Sequence, residues 1–113
     1  MHEVLATVSE TRVYDFDTEQ QMIAKAIGTT QRLSGALKIR VQRSTNKYDL
    51  NTEQQQYLRK FEIIDDLLRR ARNAIVNGSL NESGRFVSAA NSTLMDVERE
   101  TNRWIKQSQE EEQ

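Results

Sequence analysis

The sequence predicts an all-α fold: an antiparallel three-helix bundle, made of a long helical hairpin plus a third helix, with a short N-terminal segment of undecided structure. Three observations carry this. Proline is absent and glycine occurs four times in 113 residues, so few positions forbid helix. Apolar residues recur at steps of three and four over three long stretches, the spacing of one helix face. Two short polar segments, NKYDLN (46–51) and NGSLN (77–81), separate those stretches, and connections so short make neighbouring helices antiparallel.

Residues 1–16 form an N-terminal arm. Val4, Leu5 and Val8 suit a short helix, whereas the alternation in TRVYDFD, with Tyr14 and Phe16 on one side, suits a strand. The first helix is expected over about 18–46, with Met22, Ile23, Ala26, Ile27, Leu33, Leu37 and Val41 on its apolar face. Gly28 and Gly35 interrupt it, each costing about 1 kcal/mol against Ala. Close helix–helix contact or a local bend accounts for them; a hinge or a notch facing a partner is the functional alternative. The second helix, 52–77, has the cleanest stripe: Tyr57, Phe61, Ile64, Leu68, Ala71 and Ile75. The third, 82–108, starts at Asn81 or Ser83 and carries Val87, Ala90, Leu94, Val97, Thr101 and Trp104, flanked by Phe86, Met95 and Ile105. Gly78 stands where a left-handed C-cap belongs. The bundle domain is thus 17–108, and residues 109–113 form an acidic tail expected to fray.

DTEQQ (17–21) and NTEQQ (51–55) each precede an apolar stripe. Asp17 or Thr18, and Asn51 or Thr52, are good N-cap types, and glutamine lies three residues on in each register, the capping-box spacing. The repeat is therefore read as one helix-start device used twice. The 34-residue offset suggests a tetratricopeptide-like array, but the segments that follow share few identities.

Cysteine is absent, which excludes disulfides and cysteine-based metal sites. No stretch nears the roughly 18 apolar residues of a membrane span, and the first residues lack the pattern of a signal peptide. A soluble, cytoplasmic protein with no membrane contact is the expectation. The net charge of −1 conceals a layout: residues 1–19 sum to −4, residues 20–75 to +6, and residues 76–113 to −3. Arg32, Lys38, Arg40, Arg43 and Lys47 crowd half of the first helix, and Arg69, Arg70 and Arg72 stand in the second. The hairpin brings the end of the first helix near the start of the second, so these make two separate basic areas. They are the candidate contacts for nucleic acid or an acidic partner. Basic residues near helix C-termini also answer the helix dipole, and no exposed aromatics interleave with them.

Catalytic and cofactor signatures are lacking. His2, the single histidine, stands beside Met1 and supports neither zinc nor Ser–His chemistry. GTTQRLSG fits no phosphate-loop spacing. Glu62, Asp65 and Asp66 could hold a divalent ion, yet Asp65 has Arg69, and Asp66 has Arg69 or Arg70, at ion-pair spacing. In outline alone, a short helical chain ending in a Trp-bearing helix is similar to flagellar and type III export chaperones; no residue carries across. The expectation is therefore non-enzymatic: no catalytic residue, metal or cofactor, but a protein-interaction module acting as adaptor, chaperone-like partner or inhibitor through a helical face. Another protein or a second copy is the expected partner, with homo-oligomer formation along the slender bundle. Tyr14, Phe16 and Trp104 are the candidate interface residues, although a single Trp on an apolar stripe also serves as core. The alternative is a small nucleic-acid-binding regulator using the basic middle.

Overall fold

Three helices make up the chain in a computed structural model that describes the backbone of residues 2–112 and the side chains of residues 18–111: α1 (His2–Lys47), α2 (Asn51–Val76) and α3 (Leu80–Glu112). The α2 and α3 limits fall close to those the apolar spacing gives. α1 does not. Its backbone runs unbroken through residue 17, so DTEQQ caps nothing, and TRVYDFD is helical rather than extended. A lone strand would leave its donors and acceptors unpaired, whereas a helix satisfies them within itself. α3 likewise continues through the acidic tail to Glu112. No helix among the described residues is long and apolar enough to cross a membrane.

The two turns share one device. After α1, the Leu50 N–H donates to the Thr45 carbonyl at 2.7 Å and the Asp49 N–H to the Asn46 carbonyl at 3.3 Å. After α2, the Ser79 N–H donates to the Ala74 carbonyl at 2.8 Å and the Gly78 N–H to the Ile75 carbonyl at 2.9 Å. Both are Schellman closures, which need one residue in the left-handed region. Gly78 takes it at φ 77 and Asp49 at φ 58. NTEQQ again does not supply the expected cap: Leu50 precedes α2 and gives no side-chain hydrogen bond. Gln54 instead reaches across the turn. Its amide donates to the Thr45 hydroxyl at 2.8 Å and the Asn46 side chain at 3.1 Å, tying α2 to the end of α1.

Side-chain pairs fix the register. The Thr30 hydroxyl donates to the Asn91 side-chain oxygen at 2.9 Å, setting α1 parallel to α3. Arg72 donates to Gln31, setting α2 antiparallel to α1. Lys60 meets Glu100 at 3.0 Å and the Tyr57 and Trp104 rings stack with centroids 6.0 Å apart, setting α3 antiparallel to α2. The α2–α3 turn therefore lies level with residues 20–24 of α1, where Gln20, Gln21 and Ala24 share a cleft with Ile75. α1 continues past that turn. At about 1.5 Å per residue it rises roughly 69 Å, matching the molecule's longest dimension of 71 Å.

The core takes Phe61, Ile64, Leu68 and Ala71 from α2 and Val87, Ala90, Leu94 and Val97 from α3. α1 contributes differently. Its buried line is Ile27, Thr30, Ser34, Leu37, Val41 and Thr45, half of it polar. Met22 and Leu33, on the stripe expected from sequence, are 64% and 56% exposed. Gly28 and Gly35 have nothing within 4 Å of where a Cβ would stand, so close helix contact does not explain them.

Candidate protein-interaction surface

The exposed Ile39 of α1 lies on another face of that helix, whereas three exposed large apolar side chains of α1 and α3, Met22, Leu33 and Met95, fall along one groove. Its upper end is a cleft of about 730 Å³ lined by Met22 and Ile23 of α1 and Leu80, Gly84, Arg85 and Ser88 of α3. Residues seven and eleven apart return to one helix face. Leu33 therefore continues the Met22 edge, and Met95 continues the Gly84–Ser88 edge. The Thr30–Asn91 hydrogen bond sets these two edges in step, so Leu33 lies level with Leu94 and Met95. Met95 is 60% exposed. Three flexible or branched apolar side chains thus stand in water along about three helical turns between α1 and α3. The opposite side of the bundle, occupied by α2, buries its stripe and leaves Ile63 and Val76 as isolated exposures. Isolated apolar residues are ordinary on surfaces, whereas contiguous apolar patches are uncommon.

The charged side chains divide along the same line. Between Gln20 and Lys47, α1 holds six cations (Lys25, Arg32, Lys38, Arg40, Arg43 and Lys47) and no carboxylate. None of the six enters an ion pair among the described residues. Arg32 reaches only the Thr29 hydroxyl at 3.4 Å, and the Lys47 ammonium sits 5.1 Å from the centre of the Tyr48 ring. Four of the five cations of α2 are engaged, Arg59 being the exception. Arg69 and Arg70 share the two oxygens of Asp66, Arg70 at 2.9 Å. Arg72 crosses to Gln31 in the middle of α1. The eight basic residues read from sequence are therefore not one patch. Arg69, Arg70 and Arg72 stand apart from Arg43 and Lys47 along the bundle.

Of the ion pairs that the acidic spacing foretold, those of Asp66 form, whereas Asp65 does not pair with Arg69. Glu62, Asp65 and Asp66 line a shallow cleft with Arg69, but Asp66 spends both oxygens on arginines. No group of three or more His, Cys, Asp or Glu side chains that could hold a metal ion occurs among the described residues.

Trp104 sits at the α2–α3 seam. It packs against the core and stacks on Tyr57 at an interplanar angle of 28°. Its indole N–H is buried without a hydrogen-bond partner, as is the Thr101 hydroxyl one turn earlier. Burial is the main cause that raises the Tyr57 phenol above its ordinary value of 10.0. The Glu100 carboxylate adds to the rise, and the nearby Trp104 indole opposes it while falling short of hydrogen-bond geometry. Tyr14 and Phe16 belong to α1, and their side chains lie outside the described residues.

Apolar spacing alone puts Met22 and Leu33 on the core stripe and so conceals the groove. The signal was present: Thr30, Ser34 and Thr45 keep three- and four-residue steps with Leu37 and Val41, and that register turns Met22 and Leu33 outward. No family model, curated protein or solved structure matches this chain.

Proposed function

We propose that this chain is a non-enzymatic protein-interaction module, an adaptor, chaperone-like partner or inhibitor that binds through the α1–α3 face. The carrying observation is the alignment of exposed Met22, Leu33 and Met95 along one groove. Burial of such side chains on association is worth about 1.5–3 kcal/mol each when complete, enough for a few residues to dominate an interface. A photo-crosslinking residue placed at position 33 tests this, with position 63 on α2 as control, since Ile63 is exposed to a similar degree. Protein adducts are expected at position 33 and not at position 63. No adduct at 33, or equal labelling at both, removes the reading.

A second reading draws on the six cations of α1 that lack ion pairs: a small nucleic-acid-binding regulator. Its affinity for labelled DNA or RNA would fall steeply with salt and fall again in the Arg40→Ala, Arg43→Ala variant. Fluorescence anisotropy that is flat at low salt sinks it.

A further inference from the structure

α1 is divided in charge along its length. Its stretch up to Glu19 carries five carboxylates against one arginine, and Gln20–Lys47 carries six cations and no carboxylate. The acidic stretch is the part that continues past the α2–α3 turn. The cationic stretch borders the apolar groove: its Met22 and Ile23 line the upper cleft, where Glu19 and Arg85 are the charged neighbours, and Lys25, Arg32 and Arg40 follow along the same helix. A second α1 laid antiparallel sets each acidic stretch against the other's cations, while two acidic stretches side by side would oppose −4 to −4.

We propose that the α1–α3 groove receives the acidic first stretch of α1 from a second copy of this chain, in a two-fold antiparallel pair. This deepens the interaction reading above and rests on it. An axis near Met22 sets residues 3–19 of one copy beside residues 25–41 of the other. Glu3, Glu10, Asp15 and Asp17 then lie along the stretch that holds Lys25, Arg32, Lys38 and Arg40. The incoming stretch also brings Val4, Leu5, Val8, Tyr14 and Phe16, an apolar supply for the groove that exposes Met22, Leu33 and Met95. Such an interface is isologous, each copy giving one arm and one groove. Charge complementarity sets its register and its orientation.

Sedimentation equilibrium of the full chain, at low salt and at roughly 0.5 M salt, tests the pairing. The expected species at low salt has twice the 13.1 kDa chain mass, and salt weakens it. Two triple variants follow. One reverses the groove wall (Lys25→Glu, Arg32→Glu, Arg40→Glu) and one reverses the arm (Glu3→Lys, Glu10→Lys, Asp15→Lys). Each alone should lose at least about tenfold in self-association, and an equal mixture should recover it as a heterodimer. Circular dichroism establishes that both variants keep their helices. A wild-type chain that stays monomeric overturns the proposal, as does a dimer indifferent to both variants or a mixture that fails to pair. If the monomeric chain still crosslinks another protein at position 33, self-pairing fails and the interaction reading survives. If it is monomeric and binds labelled RNA through the groove cations, self-pairing is likewise overturned and the face belongs to nucleic acid.

Discussion

The α2–α3 seam and the α1 seams are built from different materials. Between α2 and α3, aromatic and branched apolar side chains meet, a Tyr–Trp stack closes one end, and Lys60 pairs with Glu100. Between α1 and the other two helices, Thr30, Ser34 and Thr45 take places that large apolar residues could fill, and hydrogen bonds such as Thr30–Asn91 and Arg72–Gln31 do the joining. The difference teaches how this bundle divides its work. The hairpin of α2 and α3 supplies most of the apolar burial. α1 lies along it with less buried area of its own, and its cations and several apolar side chains stay in water.

The largest test of that division is in the core. Phe61→Ala should cost about 3–5 kcal/mol, and Leu37→Ala on α1 should fall near the low end of about 2–5 kcal/mol; urea titration followed by circular dichroism measures both. A Leu37 variant as costly as Phe61 would break the comparison. Thr30→Ala removes one buried hydroxyl and its bond to Asn91, and a loss of about 1 kcal/mol is expected. A far larger loss would show that α1 depends on this bond for its register. Gly28→Ala and Gly35→Ala sit where a Cβ meets nothing within 4 Å, so each should raise stability by about 0.4–1 kcal/mol. A destabilised variant would mean that α1 bends or packs more tightly there than its open surroundings indicate. Smallest of all is a pH effect at Tyr57. Its phenol titrates above the ordinary 10.0 in the folded state, so the unfolded chain releases this proton first. The neutral phenol's contribution is therefore whole below pH 10 and is lost as pH climbs past it. Tyr57→Phe should flatten that part of the stability curve, read as melting temperature against pH; an unchanged slope would place Tyr57 in water.

Much of this architecture was legible because helical periodicity is strong where large apolar residues line up. α2 shows it best: Tyr57, Phe61, Ile64, Leu68 and Ala71 were read from spacing and are buried. Gly78 announced its turn, since only glycine takes the left-handed region at no steric cost. Asp49 did not, because aspartate there looks like any polar loop residue. The capping reading of the two TEQQ segments failed for a physical reason. A good cap residue shows that a helix can start, not that it must, and good helix formers upstream let α1 run on. Gln54 then found better partners on the end of α1 than on its own helix. On the candidate surface, sequence located the cations but not their freedom. Ion-pair spacing inside α2 is visible at Asp66, Arg69 and Arg70, whereas the lack of partners around Lys25–Lys47 depends on which helices face which. The groove was hidden by the habit of counting every apolar residue at three- or four-residue steps as core.

Trp104 is the single tryptophan of the chain, and its indole N–H is enclosed without a partner at the α2–α3 seam. The molecule thereby carries its own optical gauge. Emission depends on how much water and how many dipoles reach the ring, so opening of this one seam shifts the spectrum, while events at the far end of α1, where there is no second indole, leave it dark. The stacked pair of Tyr57 and Trp104 makes the α2–α3 seam the reporter of the bundle.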